Sequence, residues 1–211
     1  MRRCFLFYLG IVMLVNGFAF AQRECVVYPT LPESDTRDYA KPALLVKQEP
    51  GGNYIVHLTF PQTNTWDASE PGVALEHTGD GKELIYPLRD GTDVRDYRQP
   101  AMVAERDKTG QTVIYHTLAG LDTPDFSKAA YVVTVKRDPG DVLIIAPTLP
   151  GTHTRDYDRP AIRVGRDAAS GGLRITPTMK GCDTRDFDRP GLFSERELPV
   201  GLICYLAAQR L

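Results

Sequence analysis

The chain has 211 residues, with 25 lysines and arginines against 27 aspartates and glutamates and a formal net charge of −2. That balance excludes a nucleic-acid binder of the kind that rests on a basic excess. The four cysteines form no Cys-x-x-Cys and meet no paired histidines, which gives no basis for a zinc site.

At the N-terminus, Arg2 and Arg3 precede an uncharged, mostly apolar run from Cys4 to Phe20 that closes on Ala19-Phe20-Ala21 before the polar Gln22 and Arg23. This is the layout of a secretory signal peptide cleaved after Ala21. The competing reading is an uncleaved anchor, since the run is just long enough to span a bilayer; Asn16 and Gly17 interrupt it. Residues 1–21 are therefore expected to be a signal peptide, and 22–211 a single all-β domain, periplasmic or extracellular, with no further membrane span. In that compartment Cys25, Cys182 and Cys204 predict one disulfide and one free thiol.

Along the mature chain a short β-rich run, Cys25-Val-Val-Tyr-Pro29, leads into a phrase that returns throughout. Its clear copies are Asp35-Thr-Arg-Asp-Tyr-Ala-Lys-Pro42, Asp93-Val-Arg-Asp-Tyr-Arg-Gln-Pro100, His153-Thr-Arg-Asp-Tyr-Asp-Arg-Pro160 and Asp183-Thr-Arg-Asp-Phe-Asp-Arg-Pro190. Weaker copies are Asn64-Thr-Trp-Asp-Ala-Ser-Glu-Pro71 and Asp122-Thr-Pro-Asp-Phe-Ser-Lys-Ala129. Anchored on Asp38, Asp67, Asp96, Asp125, Asp156 and Asp186, the copies are 29, 29, 29, 31 and 30 residues apart. The register extends upstream, where Pro29-Thr30-Leu31, Thr117-Leu118, Pro147-Thr148-Leu149 and Pro177-Thr178-Met179 precede their aspartates at constant spacing.

After each phrase comes a strand-like run, then a turn cluster such as Glu49-Pro-Gly-Gly-Asn53 or Asp138-Pro-Gly-Asp141, then a second β-rich run such as Tyr54–His57, Val142–Ile145 or Leu202–Cys204. Two such runs around a glycine-bearing turn read as a β-hairpin. No stretch shows helical periodicity, and the prolines oppose helix. The expectation is six tandem β-hairpin repeats of about 30 residues that bury their faces against one another. They form either a closed, propeller-like ring or an open, solenoid-like row, with a trefoil as a third arrangement. The Cys25–Pro29 run is an extra half unit, fit to cap a row or complete a ring.

The aspartate persists where its preceding arginine is lost, so its expected task is local: accepting backbone N–H bonds in the connector and holding the turn into the next strand. An arginine pairing with a neighbouring copy and an aromatic filling the gap complete that structural reading. The alternative is a row of ligand sites built from Arg37, Asp38 and Tyr39; Arg95, Asp96 and Tyr97; Arg155, Asp156 and Tyr157; and Arg185, Asp186 and Phe187. Guanidinium and carboxylate hydrogen-bond hydroxyls while a ring covers an apolar sugar face, which makes a multivalent lectin-like or protein-binding module.

No cofactor or resident metal is expected. Calcium shared by Asp35 and Asp38, Asp93 and Asp96, or Asp183 and Asp186 is a weaker variant, for want of enough oxygen ligands. Nucleophile, zincin and phosphate-loop motifs are lacking, and His57, His77, His116 and His153 fall at different places in the repeat. The reading is a non-catalytic binding module, with a structural envelope component as the alternative and a carboxylate-dependent glycoside hydrolase as a lesser one.

Overall fold

The computed structural model describes residues 23–136 and 142–210. The segment expected to be a signal peptide, residues 1–21, and the expected Asp138–Asp141 turn lie outside the described residues. Twelve strands follow in chain order. They are β1 (Arg23–Pro29), β2 (Leu44–Gln48), β3 (Tyr54–Leu58), β4 (Val73–His77), β5 (Glu83–Pro87), β6 (Met102–Arg106), β7 (Thr112–His116), β8 (Tyr131–Lys136), β9 (Val142–Pro147), β10 (Ile162–Arg166), β11 (Leu173–Pro177) and β12 (Leu192–Ser194). Among the described residues there is one helix, α1 (Val200–Arg210), which follows β12.

Every strand is antiparallel to its sequence neighbours, and β1 pairs with β12, closing the sheet into a barrel. The result is all-β, but it is neither a propeller, nor an open row of stacked hairpins, nor a trefoil. Each strand is bonded on both sides, across the glycine turns (β2 with β3, β4 with β5) and across the phrase-bearing connectors (β3 with β4, β5 with β6) alike. The sequence repeat is therefore not a separately stacked hairpin. Closure also leaves no strand edge open to another chain.

β1 decides how the barrel ends. It pairs over Val27–Pro29 with β12 and over Arg23–Val27 with β2, so it occupies the place a second strand of the last copy would take. Leu202–Cys204, expected as that strand, is thereby released and lies within α1. Eight strands leave an interior that side chains alone can fill, whereas twelve leave a wider lumen, and α1 fills it. Gly201 through Ala207 are consecutively buried. They pack on the inward-facing Val27, Val46, Leu75, Ile85, Ile114, Ile145 and Ile175. A helix enclosed on all sides needs no polar face, which is why periodicity does not reveal it. Its length of about 16 Å matches five-residue strands of about 17 Å.

The entry of α1 is fixed by close approach. A Cβ on Gly201 would meet Ile85 Cδ1 at 2.8 Å and Ala104 Cβ at 3.3 Å, so only glycine lets the helix lie this near β5 and β6. Its N–H donates to Glu83 Oε2 at 3.1 Å, which supplies an acid to a helix start that has none of its own. Among the described residues no helix is long and apolar enough to cross a membrane.

The cysteines are not paired. Cys25 on β1 and Cys204 on α1 are buried, Cys182 is half-buried in the last connector, and all three are free thiols, contrary to the expected disulfide. Burial raises the Cys25 and Cys204 thiols well above the ordinary range, so both are neutral members of the apolar interior.

Candidate functional site: the connector layer and its apolar belt

The connectors fold back over the outer wall of the barrel and cover a second apolar layer. That layer includes Leu84, Val103, Val113, Val132 and Ile144, all buried. Each connector is anchored in the same way. The N–H groups of Asp38, Asp67, Asp96, Asp125, Asp156 and Asp186 donate at 2.7–3.0 Å to the carbonyls of Pro29, Leu58, Pro87, His116, Pro147 and Pro177. Their carboxylates accept the N–H two residues on: Ala40, Ser69, Arg98, Ser127, Asp158 and Asp188. The aspartate thus builds an Asx turn in all six copies, as the local reading expects. The Ser127 hydroxyl, followed by its N–H, holds the Asp125 carboxyl below its usual range, and the Arg98 side chain has the largest part in lowering Asp96.

A buried threonine makes the next tie. The hydroxyl oxygens of Thr59, Thr117, Thr148 and Thr178 accept the N–H of Ala43, Ala101, Ala130 and Ala161, and Thr30 accepts that of Gly191 across the ring closure. One copy departs: Leu88 stands in the threonine position and Gly72 in the alanine position. A Cβ at Gly72 would sit 3.1 Å from Leu88 Cδ1 and 2.8 Å from the Val56 carbonyl. Glycine is not confined to that copy, since Gly191 stands opposite Thr30, and at Gly72 the Val56 carbonyl and His57 Nδ1, at 2.9 Å, leave less room than Leu88 does.

The phrase arginines join consecutive copies. Arg95 donates to Asp122 at 2.5 Å and Arg155 to Asp183 at 2.5 Å. Arg185 meets Asp35 at 2.9 Å, linking the sixth copy to the first, and Arg37 donates to Asn64 at 3.1 Å. Where the arginine is lost, an outward residue of the strand below takes over. Beside Trp66, His57 of β3 reaches Asp93 at 3.2 Å and stacks on the indole at 4.2 Å. Beside Pro124, Tyr115 of β7 bonds His153 at 2.6 Å. The ring of six links is complete although only four copies keep the arginine.

This arrangement separates the predicted site trio. The guanidinium groups of Arg37, Arg95, Arg155 and Arg185 lie over Tyr39, Tyr97, Tyr157 and Phe187 at 4.7–4.8 Å. Arg37 and Arg95 are also covered from below by Tyr28 and Tyr86. Asp38, Asp96, Asp156 and Asp186 are turned into their own turns. Of each trio only the aromatic faces outward: Tyr39, Tyr97, Tyr157 and Phe187, with Phe126 of a weaker copy, are 55–61% exposed.

The acids paired in the calcium reading also diverge. Asp35 binds Arg174 and Arg185, Asp183 binds Arg155 and Lys136, and Asp93 faces His57. Among the described residues no group of three or more His, Cys, Asp or Glu is arranged to hold a metal.

A second ring of exposed side chains accompanies the aromatics: Leu31, Phe60, Leu118, Leu149 and Met179, 42–46% exposed. The two rings account for ten of the thirteen large exposed hydrophobics among the described residues. They belong together, because at three of the five sites a connector loop packs on the backbone of the preceding aromatic. The Glu33 N–H donates to the Phe187 carbonyl at 2.8 Å. The Cβ positions of Gly120 and Gly151 lie 3.3 and 3.5 Å from the carbonyls of Tyr97 and Phe126. Each site thus combines an aromatic of one copy with an apolar residue of the next. The sixth has lost both halves at once: Ala68 replaces the aromatic, Arg89 replaces its partner, and Gly91 of that loop contacts the Ala68 carbonyl. Sequence reasoning missed the second ring, although its register was visible in the Leu, Phe or Met after each buried threonine.

Comparison with protein-family models, with curated proteins and with solved structures returns no match.

Proposed function

We propose that this protein is an exported, non-catalytic binding module that engages its partner through five near-equivalent apolar sites on its outer wall. The observation that carries the reading is the concentration of large exposed hydrophobics at two register positions, one of them a ring that in four of its five copies lies against the phrase arginine. Such patches mark interaction sites on proteins. A ring stacked on a guanidinium is fixed in orientation before it meets a ligand, which lowers the ordering cost of binding.

The ligand class that fits is a saccharide chain. Sugar rings offer apolar faces to aromatics, and exposed polar side chains beside the rings, Asp158 and Asp188 among them, are available to hydroxyls. Repeated sites on a repeating polymer gain avidity without tight individual contacts. The structural-component reading draws support from the internal use of the arginines and aspartates, and the same experiment separates the two.

That experiment is a thermal-shift screen of the protein lacking residues 1–21 against cell-wall and surface saccharides, with calcium as a further arm. A saturable rise with a saccharide, removed by combined Tyr39→Ala, Tyr97→Ala and Tyr157→Ala while the unliganded melting point changes little, supports the binding reading. No rise with any saccharide, together with marked destabilisation by the same variants, leaves the structural one. Export to the periplasm or the exterior is tested by N-terminal sequencing of the processed protein, expected to begin at Gln22.

A further inference from the structure

The end of the barrel where α1 terminates is separate from the belt and differently charged. The residue before each connector proline, or before Ala129 in the one copy without it, is Lys41, Glu70, Gln99, Lys128, Arg159 and Arg189. Strands follow one another around the barrel in chain order, and β12 meets β1. Lys128, Arg159, Arg189 and Lys41 are therefore consecutive around the rim, with Glu70 and Gln99 on the opposite arc. Arg210, at the end of α1, adds a fifth cation among them. Lys41 and Lys128 each pair with the aspartate of their own phrase, Asp38 at 3.7 Å and Asp125 at 3.8 Å, so the arc is a row of paired cations rather than a bare positive patch.

His116 is held below its ordinary range first by burial and then by Lys128 and Arg159, with Asp125 acting the other way. Arg210 is exposed at the surface, with Glu70 as its countercharge.

Two cavities flank the end of α1. One, of about 250 Å³, lies on the Glu70 and Gln99 side. The other, of about 310 Å³, lies under the cationic arc, lined by Lys41, Gln209 and Arg210 and by the apolar Pro42, Leu44 and Leu192. Its volume is at the lower end of the range for small-molecule pockets, ~300 Å³ upward. Lys41 meets Asp38 Oδ2 at 3.7 Å, a long ion pair on a half-exposed ammonium, while Oδ1 accepts the Ala40 N–H.

We propose that this second cavity binds a small organic carboxylate, its charge placed between Lys41 and Arg210 and its carbon skeleton resting on Leu44, Leu192 and Pro42. Two cations lining a cavity whose other walls are largely apolar match an anion with a nonpolar body better than a bare inorganic ion, which gains nothing from those walls. Aliphatic acids and acidic sugars share that carboxylate, and the test separates them.

The test is calorimetric titration of the full mature chain with sodium hexanoate, sodium glucuronate and neutral hexanamide, at one ionic strength fixed with sodium chloride. One site per chain is expected for a carboxylate and none for hexanamide. Binding of hexanoate alone assigns an aliphatic acid; binding of glucuronate, with or without hexanoate, assigns an acidic sugar. Lys41→Gln and Arg210→Gln are each expected to weaken binding about tenfold, the loss of one charge-assisted bond, whereas Lys41→Arg retains it. Tyr157→Ala in the belt leaves it unchanged, so failure here and failure of the belt reading are distinguishable. Absence of binding by both acids, equal binding of hexanamide, or insensitivity to both glutamine variants overturns the proposal.

Discussion

The two faces of the barrel wall are built by different physics. Inside, aliphatic side chains close around α1 and the interaction is burial, non-directional and proportional to area. Outside, the connectors are held by Asx turns, threonine ties and stacked arginines, each directional and repeated copy by copy. The inner face needs only the right volume, so its residues vary freely among Val, Leu, Ile and Ala. The outer face needs particular atoms in particular places, so its residues recur as a legible phrase. Stability is expected to be concentrated inside and recognition outside, and substitutions on the two faces should therefore separate the two properties.

The largest effect is expected inside. Leu202 is fully buried on α1, and Leu202→Ala removes methyl groups from the middle of the lumen and leaves a cavity. A loss of about 2–5 kcal/mol is expected in the urea unfolding free energy, with no change in ligand specificity at the belt. A loss below about 1 kcal/mol would mean that α1 does not hold the barrel open.

Next comes the wall itself at Gly72, where Leu88 occupies the threonine position. Gly72→Ala pushes a methyl against the Val56 carbonyl and Leu88 and is expected to cost about 1–3 kcal/mol. The double change Gly72→Ala with Leu88→Thr relieves only the Leu88 contact and should recover part of that loss, since the Val56 carbonyl and His57 Nδ1 stand closer. Full recovery would show that Leu88 alone sets the need for glycine.

On the outside, Arg155→Ala leaves Asp183 with Lys136 as its remaining partner. The expected cost is about 1–3 kcal/mol, since the pair is mostly shielded but one cation stays. Tyr97→Ala removes only an exposed ring stacked on Arg95 and is expected to cost no more than about 1 kcal/mol. Reversal of that order in thermal unfolding would contradict the division of roles between the guanidinium and the ring.

A smaller, pH-dependent effect tests the substituted link. Burial lowers His57 below its ordinary value despite Asp93. The unfolded chain then binds more protons than the folded one as pH falls through about 6.5. The stability held at pH 8 is lost progressively below that value, and His57→Gln should flatten the decline between pH 7 and 5.5 in urea midpoints. An unchanged slope would show that His57 is not neutral in the folded link.

The phrase was legible in the sequence because directional contacts demand fixed residues at fixed spacing: the aspartate turn, the threonine register and the arginine reaching the next copy could all be read from it. The closed barrel was less legible, since alternating strand runs are compatible with stacking or closure, and only the pairing of β1 with β12 decides. The helix was illegible for a physical reason. Enclosed within the barrel, Val200–Ala207 has no polar face, and a short apolar run of that kind reads as strand. The disulfide expectation came from compartment and cysteine count, whereas the fold places Cys25 and Cys204 in the apolar interior as thiols. The second apolar ring required the fold, because only there do connector loops lie on the preceding copy's aromatic.

The gap at Ala68 and Arg89 offers the most direct test of the central claim that aromatic and apolar residues of consecutive copies form the binding sites. The measurement is calorimetric titration with whichever saccharide raises the melting point, comparing the natural chain with an Ala68→Tyr, Arg89→Leu double variant. The account predicts five equivalent sites in the natural chain, six in the double variant, and no sixth site in either single variant. An unchanged stoichiometry in the double variant would contradict it.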